Sequence, residues 1–235
     1  MSVYYCIPSK KPAAAAQECV DKWRARGYRV ALWRDTGDAP VDCDLLLTGT
    51  YPGYASAVNT LCLEVLERYP ETEWLVTGGD DIEPDQNHWP EDITLECGRH
   101  FGALQEGPRK YYSTFGVMQP TGDRWGADPT QPNHIGSAYA DRVCGSPWMG
   151  AEFCRRMYGG TGPFWSGWHH MRVDEEMFEV ARMLGVLWQR PDLTHYHRHW
   201  GRTAGANVAQ CPDYLKVVNS PLHWQETTAL FESRK

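Results

Sequence analysis

Short apolar runs alternate with longer segments of helical pattern through the first third of the chain. VYYCIP reads as a strand closed by Pro8. AAAAQECVDKWRARG follows, with good helix formers up to a stop at Gly27. YRVALWR predicts a second strand ending at Asp35, and DLLLTGT a third. YPGYASAVNTLCLEVLERYP gives a turn and then a helix, whose Val58, Leu61, Leu63, Val65 and Leu66 predict burial along much of its surface. EWLVTG is a fourth strand. Strands and helices alternating at this spacing predict an α/β fold with a mostly parallel central sheet and helices on both faces.

The pattern changes after Asp85. As far as about Val143 the chain is rich in Gly, Pro, Asn, Asp and aromatic residues, with only short strand candidates such as STFGVMQP. Helical pattern returns at GAEFCRRMYG and DEEMFEVARMLG, and VLWQRPDLTHYHRHW reads as strand-like. No internal repeat or low-complexity linker interrupts the 235 residues, which predicts a single domain.

The net charge of −7 argues against a protein that is basic overall and built to wrap nucleic acid, although a local basic patch remains compatible with it. Eleven Trp and twelve Tyr are not the composition of a disordered chain. No apolar run approaches the roughly 20 residues that cross a bilayer, and MSVYYCIPSKK lacks the charged leader and apolar core of a signal peptide. The expectation is a cytoplasmic protein with no membrane association. Eight scattered cysteines without a C-x-x-C pair predict buried, reduced thiols.

Candidate chemistry concentrates in two places. In WLVTGGDDIEPD, the acids Asp80, Asp81, Glu83 and Asp85 follow two glycines at the carboxyl end of the fourth strand, where ligands of open α/β sheets bind. Such carboxylates suit Mg²⁺ or Mn²⁺, and a solvated acidic turn is the plainer alternative. In THYHRHWGR, His195, His197 and His199 alternate and would share one face of a strand. Imidazole beside carboxylate tilts the choice toward Mn²⁺. Arg190, Arg198 and Arg202 supply charge suited to a phosphate-bearing ligand.

Taken together, these motifs resemble the nucleotide-sugar glycosyltransferases of the GT-A fold, especially small phage-encoded members. The resemblance implies a nucleotide-binding half over residues 1–85 and an acceptor and closing half over 86–235. It implies a UDP-sugar donor held by Mn²⁺ or Mg²⁺, with GGDDIEPD as the DxD-like motif: Asp80 faces ribose or metal and Asp81 the metal, while Gly79 stands where many members carry a further Asp. YCIPS, with Pro8 and Ser9, resembles the loop lining the nucleobase, and WRD, with Asp35, the acid near uracil. GTYPGYASAVN, with Tyr51 and Asn59, resembles the segment flanking base and ribose. GSPWMGAEFCRRMYGGTGPF…VDEEM resembles the acceptor-side segment, which makes Asp174 the catalytic base, with Glu175 as the competing choice, in an inverting single displacement. HYHRHWGR resembles the late segment closing over the diphosphate, in which His195 and His197 join the metal and Arg198 and Arg202 the phosphates.

Aromatic residues interleave with basic ones in PRKYYSTF, FCRRMYGG and WHHMR, a composition that holds nucleic-acid backbone or stacks bases or sugars. With the phage-like resemblance, this points to a hydroxymethylated pyrimidine of double-stranded DNA as acceptor. A saccharide or protein acceptor is the alternative. Two other classes stay open: a metal-dependent hydrolase using His195, His197 and His199, and a non-catalytic nucleotide-sugar or nucleic-acid binding module. For VDEEM the plain reading is acids at the positive end of a helix dipole.

Overall fold

The computed structural model describes residues 2–102, 114–123, 141–199, 216 and 220–234. Its centre is a seven-stranded sheet of order β3-β2-β1-β4-β7-β6-β8, built from β1 (Val3–Pro8), β2 (Arg29–Asp35), β3 (Leu45–Gly49), β4 (Trp74–Thr77), β6 (Val117–Pro120), β7 (Trp148–Gly150) and β8 (Leu187–Arg190). β1, β2, β3 and β4 run parallel, with Tyr5 opposite Val30 and Val76. β7 is antiparallel to both β4 and β6, and β8 is parallel to β6. A second, two-stranded sheet pairs β5 (Ile82–Glu83) with β9 (Tyr196–His197).

Alternation along β1 divides the core. Tyr4 and Cys6 face one side, where Ala55, Val58, Leu61 and Cys62 of α2 (Tyr54–Arg68) pack with Phe153 and Met177. Val3, Tyr5 and Ile7 face the other, against Ala16, Val20 and Trp23 of α1 (Ala13–Arg24) and Ile93, Cys97 and Phe101 of α3 (Pro90–Gly102). The expected α/β fold, a mostly parallel sheet covered on both faces, is the one observed. The four early strands and two early helices lie where the hydrophobic pattern predicts them.

The second half is more regular than its composition suggests. Helix α3 was hidden in a stretch read as irregular, yet it carries its own signals: Pro90 at the first position, Glu91 and Asp92 in the first turn, Arg99 and His100 in the last. Its Ile93, Cys97 and Phe101 recur every fourth residue and are fully buried. α4 (Ala151–Arg156) and α5 (Val173–Met183) fall within the predicted helical segments, and α6 (Pro221–Arg234) is added at the C-terminal side. VLWQRPDLTHYHRHW is two short strands interrupted after Arg190 by Pro191, not one run. Seven described cysteines are free thiols, six of them buried and Cys43 partly so. Among the described residues, no helix is long and apolar enough to cross a membrane.

Candidate functional site at the carboxyl ends of β1, β2 and β4

The turn after β4 is fixed from beneath by two tyrosines. Tyr5 of β1 stacks on Trp23 and donates its hydroxyl to the Gly79 carbonyl at 2.6 Å. Tyr54, the first residue of α2, donates to the Gly78 carbonyl at 3.1 Å and lies 3.0 Å from Thr77 Oγ1. Gly78 itself is closely packed: an added Cβ would sit 2.7 Å from Ile82 Cδ1 and 3.0 Å from the Tyr5 hydroxyl. The first glycine of the pair therefore serves packing beneath the turn. The acids are presented by a backbone with little room to move.

Asp80 and Asp81 diverge from this turn. Ser9, buried at the end of β1, donates to Asp80 Oδ2 at 2.5 Å. The Lys11 ammonium lies 3.1 Å from Asp80 Oδ1 and donates to the Asp80 carbonyl at 2.7 Å. Asp81 faces the other way, with Oδ1 at 3.2 Å from His197 Nε2. Burial alone would raise the Asp81 carboxyl, but the hydrogen bond and charge of His197, with Lys11 behind them, outweigh it and hold Asp81 below its ordinary range. Register explains the pairing: His197 stands opposite Ile82 in the small sheet, and Arg198 N–H donates to the Asp81 carbonyl at 2.8 Å.

The histidines do not act as a row. His195 is 5% exposed, with Nδ1 2.7 Å from Ser146 Oγ. The Trp148 indole donates toward its Nε2 at 3.5 Å. An indole only donates, so Nε2 supplies the lone pair and Nδ1 carries the proton. Burial lowers the imidazole to about 4, against the nearby Asp85 charge. His195 is a neutral core residue, and the expectation that it binds metal is corrected. His197 and His199 remain near each other, ring centroids 5.1 Å apart.

Other expected residues divide similarly. Pro8 closes β1 opposite Trp33. Asp35 ends β2 with Lys10 2.8 Å from its carboxylate. Tyr51 is part-buried, and burial with the Asp35 charge raises its hydroxyl well above the usual value, so Tyr51 and Asp35 belong to one neighbourhood. Asn59 is buried and doubly bonded to the Phe164 backbone, donating at 2.7 Å and accepting at 2.9 Å. One amide hydrogen and the amide oxygen are engaged by that loop, and at 3% exposure Asn59 is placed to hold the loop rather than a ribose. Asp85, 1% exposed, accepts from the backbone of Asn87, His88 and Thr194 and fixes the acidic loop to the late segment. Arg190 binds Glu96 and Asp192, each at 2.5 Å. Arg198 binds Glu83 at 2.6 Å from a largely exposed position. Arg202 lies outside the described residues.

Asp174 occupies the first turn of α5. Its Oδ1 accepts from Glu175 N–H at 3.0 Å, and its carbonyl accepts from Cys144 N–H. Burial, then the Glu175 charge, raises its carboxyl to about 6, against the backbone hydrogen bonds and Arg172. Glu175 is itself bound by Arg172 at 2.5 Å. Arg172 caps the helix at a left-handed φ of 70° and its guanidinium lies over Trp224 of α6. Glu176 is buried and gathers the Trp168 indole, the Tyr158 hydroxyl and Arg234. Burial raises the Tyr54 hydroxyl, the Thr77 hydrogen bond opposes this, and the charges of Tyr51 and then Asp174 add to the rise. Tyr54 N–H also donates to the His169 carbonyl at 2.6 Å. Neither Tyr54 nor Lys11 was singled out by the sequence, although Lys11 in SKKP and Tyr54 after Gly53 both sit at strand-to-helix junctions.

Carboxylate and imidazole facing each other at Asp81 and His197 are donors suited to Mn²⁺. Among the described residues, no group of three or more His, Cys, Asp or Glu is arranged to hold a metal.

No protein-family model matches the chain, and no curated protein does. Among solved structures it is similar to a glycosyltransferase involved in glycosylation of the major capsid of PBCV-1, with 11% identity over 81% of this chain and 82% of that one, at a TM-score of 0.41. It is also similar to a Drosophila β-1,4-galactosyltransferase 7 mutant in complex with manganese, UDP-Gal and xylobiose, with 12% identity over 94% and 80% of the two chains, at a TM-score of 0.42. Likeness at this level leaves the chemistry to be argued from the chain's own residues.

Proposed function

We propose that the chain is a glycosyltransferase that moves a sugar from a nucleotide sugar, of the UDP type, to an acceptor hydroxyl. The observation that carries this is the presence of two unlike acid sites, one in the turn after β4 and one at the start of α5. One is a fixed turn whose Asp81 is held ionised beside His197. The other is Asp174, raised to about 6. Environments that push two carboxyls apart assign them different work. The low one binds positive charge, and the raised one accepts a proton from the attacking hydroxyl near neutral pH.

In this reading Asp81 and His197 would hold Mn²⁺ or Mg²⁺ beside the diphosphate. The metal, when bound, offsets charge on the leaving nucleoside diphosphate. Ser9, Asp35 and Tyr51, grouped at the ends of β1, β2 and β3, form the nucleoside side. Asp174 is the base, and Glu175, held by Arg172, maintains the local field around it. A single base opposite the leaving group gives inversion at the anomeric carbon.

The acceptor follows from which basic residues are spoken for. Besides the phage-like resemblance, the DNA expectation draws on PRKYYSTF, which falls almost wholly outside the described residues, and on Arg155, Arg156 and Arg172. Arg156 is paired with Glu152, Arg172 with Glu175, and Arg155 donates to the Leu66 carbonyl. Trp165 and Trp168, edge to face at 5.5 Å, lie in the segment leading to Asp174. With these three described arginines engaged, we prefer a saccharide hydroxyl to a hydroxymethylated pyrimidine in DNA as the acceptor.

Release of nucleoside diphosphate from a panel of nucleotide sugars with Mn²⁺ tests this, with chelator as control. Metal-dependent release stimulated by oligosaccharides is the expected result. Stimulation by DNA containing hydroxymethylated pyrimidine restores the DNA acceptor, and no release from any donor overturns the transferase reading.

A further inference from the structure

Asp80 is fully engaged by the loop that follows β1. Both carboxylate oxygens are taken, Oδ2 by the Ser9 hydroxyl at 2.5 Å and Oδ1 by the Lys11 ammonium at 3.1 Å. Lys11 also reaches the Asp80 carbonyl at 2.7 Å, and its backbone N–H donates to Ser9 Oγ at 3.3 Å. The loop is held in this position from below. Arg34, 2% exposed, donates one guanidinium nitrogen to the carbonyls of both Ser9 (3.0 Å) and Lys11 (2.6 Å). A guanidinium is seldom buried for the sake of a surface loop, because its desolvation has to be offset by good hydrogen bonds. Here those bonds fix where Lys11 starts.

The contrast with its neighbour is informative. Lys10 reaches out to Asp35 with its side chain 62% exposed, whereas the Lys11 side chain is 26% exposed and the Asp80 side chain 15%. A solvent-screened pair contributes little either way. The partly buried pair at Asp80 instead places one positive charge on the carboxylate that a cation at this turn would use, and the same ammonium lowers the Asp81 carboxyl. An ammonium on a flexible stem can leave a carboxylate for a phosphate without rebuilding the loop.

We propose that Lys11 is a diphosphate-binding residue which, in the nucleotide-free protein, occupies Asp80 in place of a divalent cation. The proposal rests on the nucleotide-sugar reading above. When nucleoside diphosphate and metal arrive together, the ammonium moves from Asp80 to the phosphate oxygens and frees Asp80 toward the metal. Free cation and Lys11 compete for one carboxylate, so nucleotide and metal bind cooperatively.

The test compares wild type, Lys11→Met and Lys11→Arg for binding of Mn²⁺ alone and of UDP at saturating Mn²⁺, by calorimetry and by electron paramagnetic resonance of the free ion. Thermal unfolding verifies that each variant is folded. Lys11→Met is expected to bind Mn²⁺ alone about tenfold more tightly, and UDP with Mn²⁺ about tenfold more weakly, the scale of one charge-assisted hydrogen bond. Lys11→Arg, which keeps the charge, is expected to retain most of the UDP affinity. Unchanged or weaker Mn²⁺ binding by Lys11→Met overturns the proposal while leaving the transferase reading intact, provided wild type binds UDP with Mn²⁺. Wild type that binds neither overturns both.

Discussion

His197 Nε2 lies 3.2 Å from Asp81 Oδ1, while His195, two residues earlier, is buried with Ser146 and Trp148 at its two ring nitrogens. The pair separates a histidine that meets an acid from a packing histidine within one motif, and in the proposed reading only the first is a metal ligand. His197→Ala is expected to weaken Mn²⁺ binding by more than about tenfold, the scale seen even for residues that only orient a ligand. Stability should stay within about 1 kcal/mol, as for most part-exposed positions. His195→Ala should do the reverse, costing about 2–4 kcal/mol through lost packing and an orphaned Ser146 and Trp148. Calorimetric Mn²⁺ titration beside urea unfolding of both variants measures the split.

The raised carboxyl of Asp174 has two consequences with opposite signs for activity and stability. As base it must be ionised, so kcat/KM should rise with pH through about 6 and then level. Ionisation is resisted by the fold, because the unfolded chain gives up this proton near 3.8 and the folded one near 6. The stability cost is absent below 3.8, grows between the two values and is complete above 6. Asp174→Asn removes it, and should be more stable than wild type at pH 8 but not at pH 3.5. Thermal unfolding at the two pH values checks this.

Acid should destabilise the protein through its histidines. His195 and His170 are both lowered to about 4, chiefly by burial. Each stays neutral in the fold while the unfolded chain takes up a proton near 6.5. Their contribution is intact above 6.5 and is lost as pH falls toward 4. Urea midpoints measured from pH 7 to 4 should fall, and His195→Gln should make that fall shallower.

Asn59→Ala tests the reassignment of an expected nucleoside contact. It leaves the buried Phe164 N–H and carbonyl without partners, at a cost of about 2–3 kcal/mol. KM for the donor should be unchanged at a temperature where the variant is folded. Steady-state kinetics at 15 °C beside denaturant unfolding distinguishes the two effects.

How far the sequence could be read depended on whether a signal was local. Buried parallel strands are continuous apolar runs, so VYYCIP, YRVALWR and EWLVTG were legible, as was the acidic turn that must follow the last of them. Helix α3 was masked by polar residues at its start, though Ile93, Cys97 and Phe101 mark its inner face. The histidine row failed because Pro191 and the Asp85 hold on Thr194 N–H break the strand, so alternation in sequence did not become alternation in space. Asn59 looked like a ligand residue because a buried amide and a ligand-facing one have the same sequence. Lys11 and Tyr54 matter through partners about 70 and 24 residues away in the chain, which no local pattern records.

The most direct measurement is donor binding and sugar transfer by Asp174→Asn, side by side with wild type. The account predicts that UDP with Mn²⁺ binds both proteins within about twofold, while transfer falls by at least the 10²–10⁴-fold contributed by a general base. Transfer that survives the substitution would contradict the assignment of Asp174 and, with it, the two-acid site.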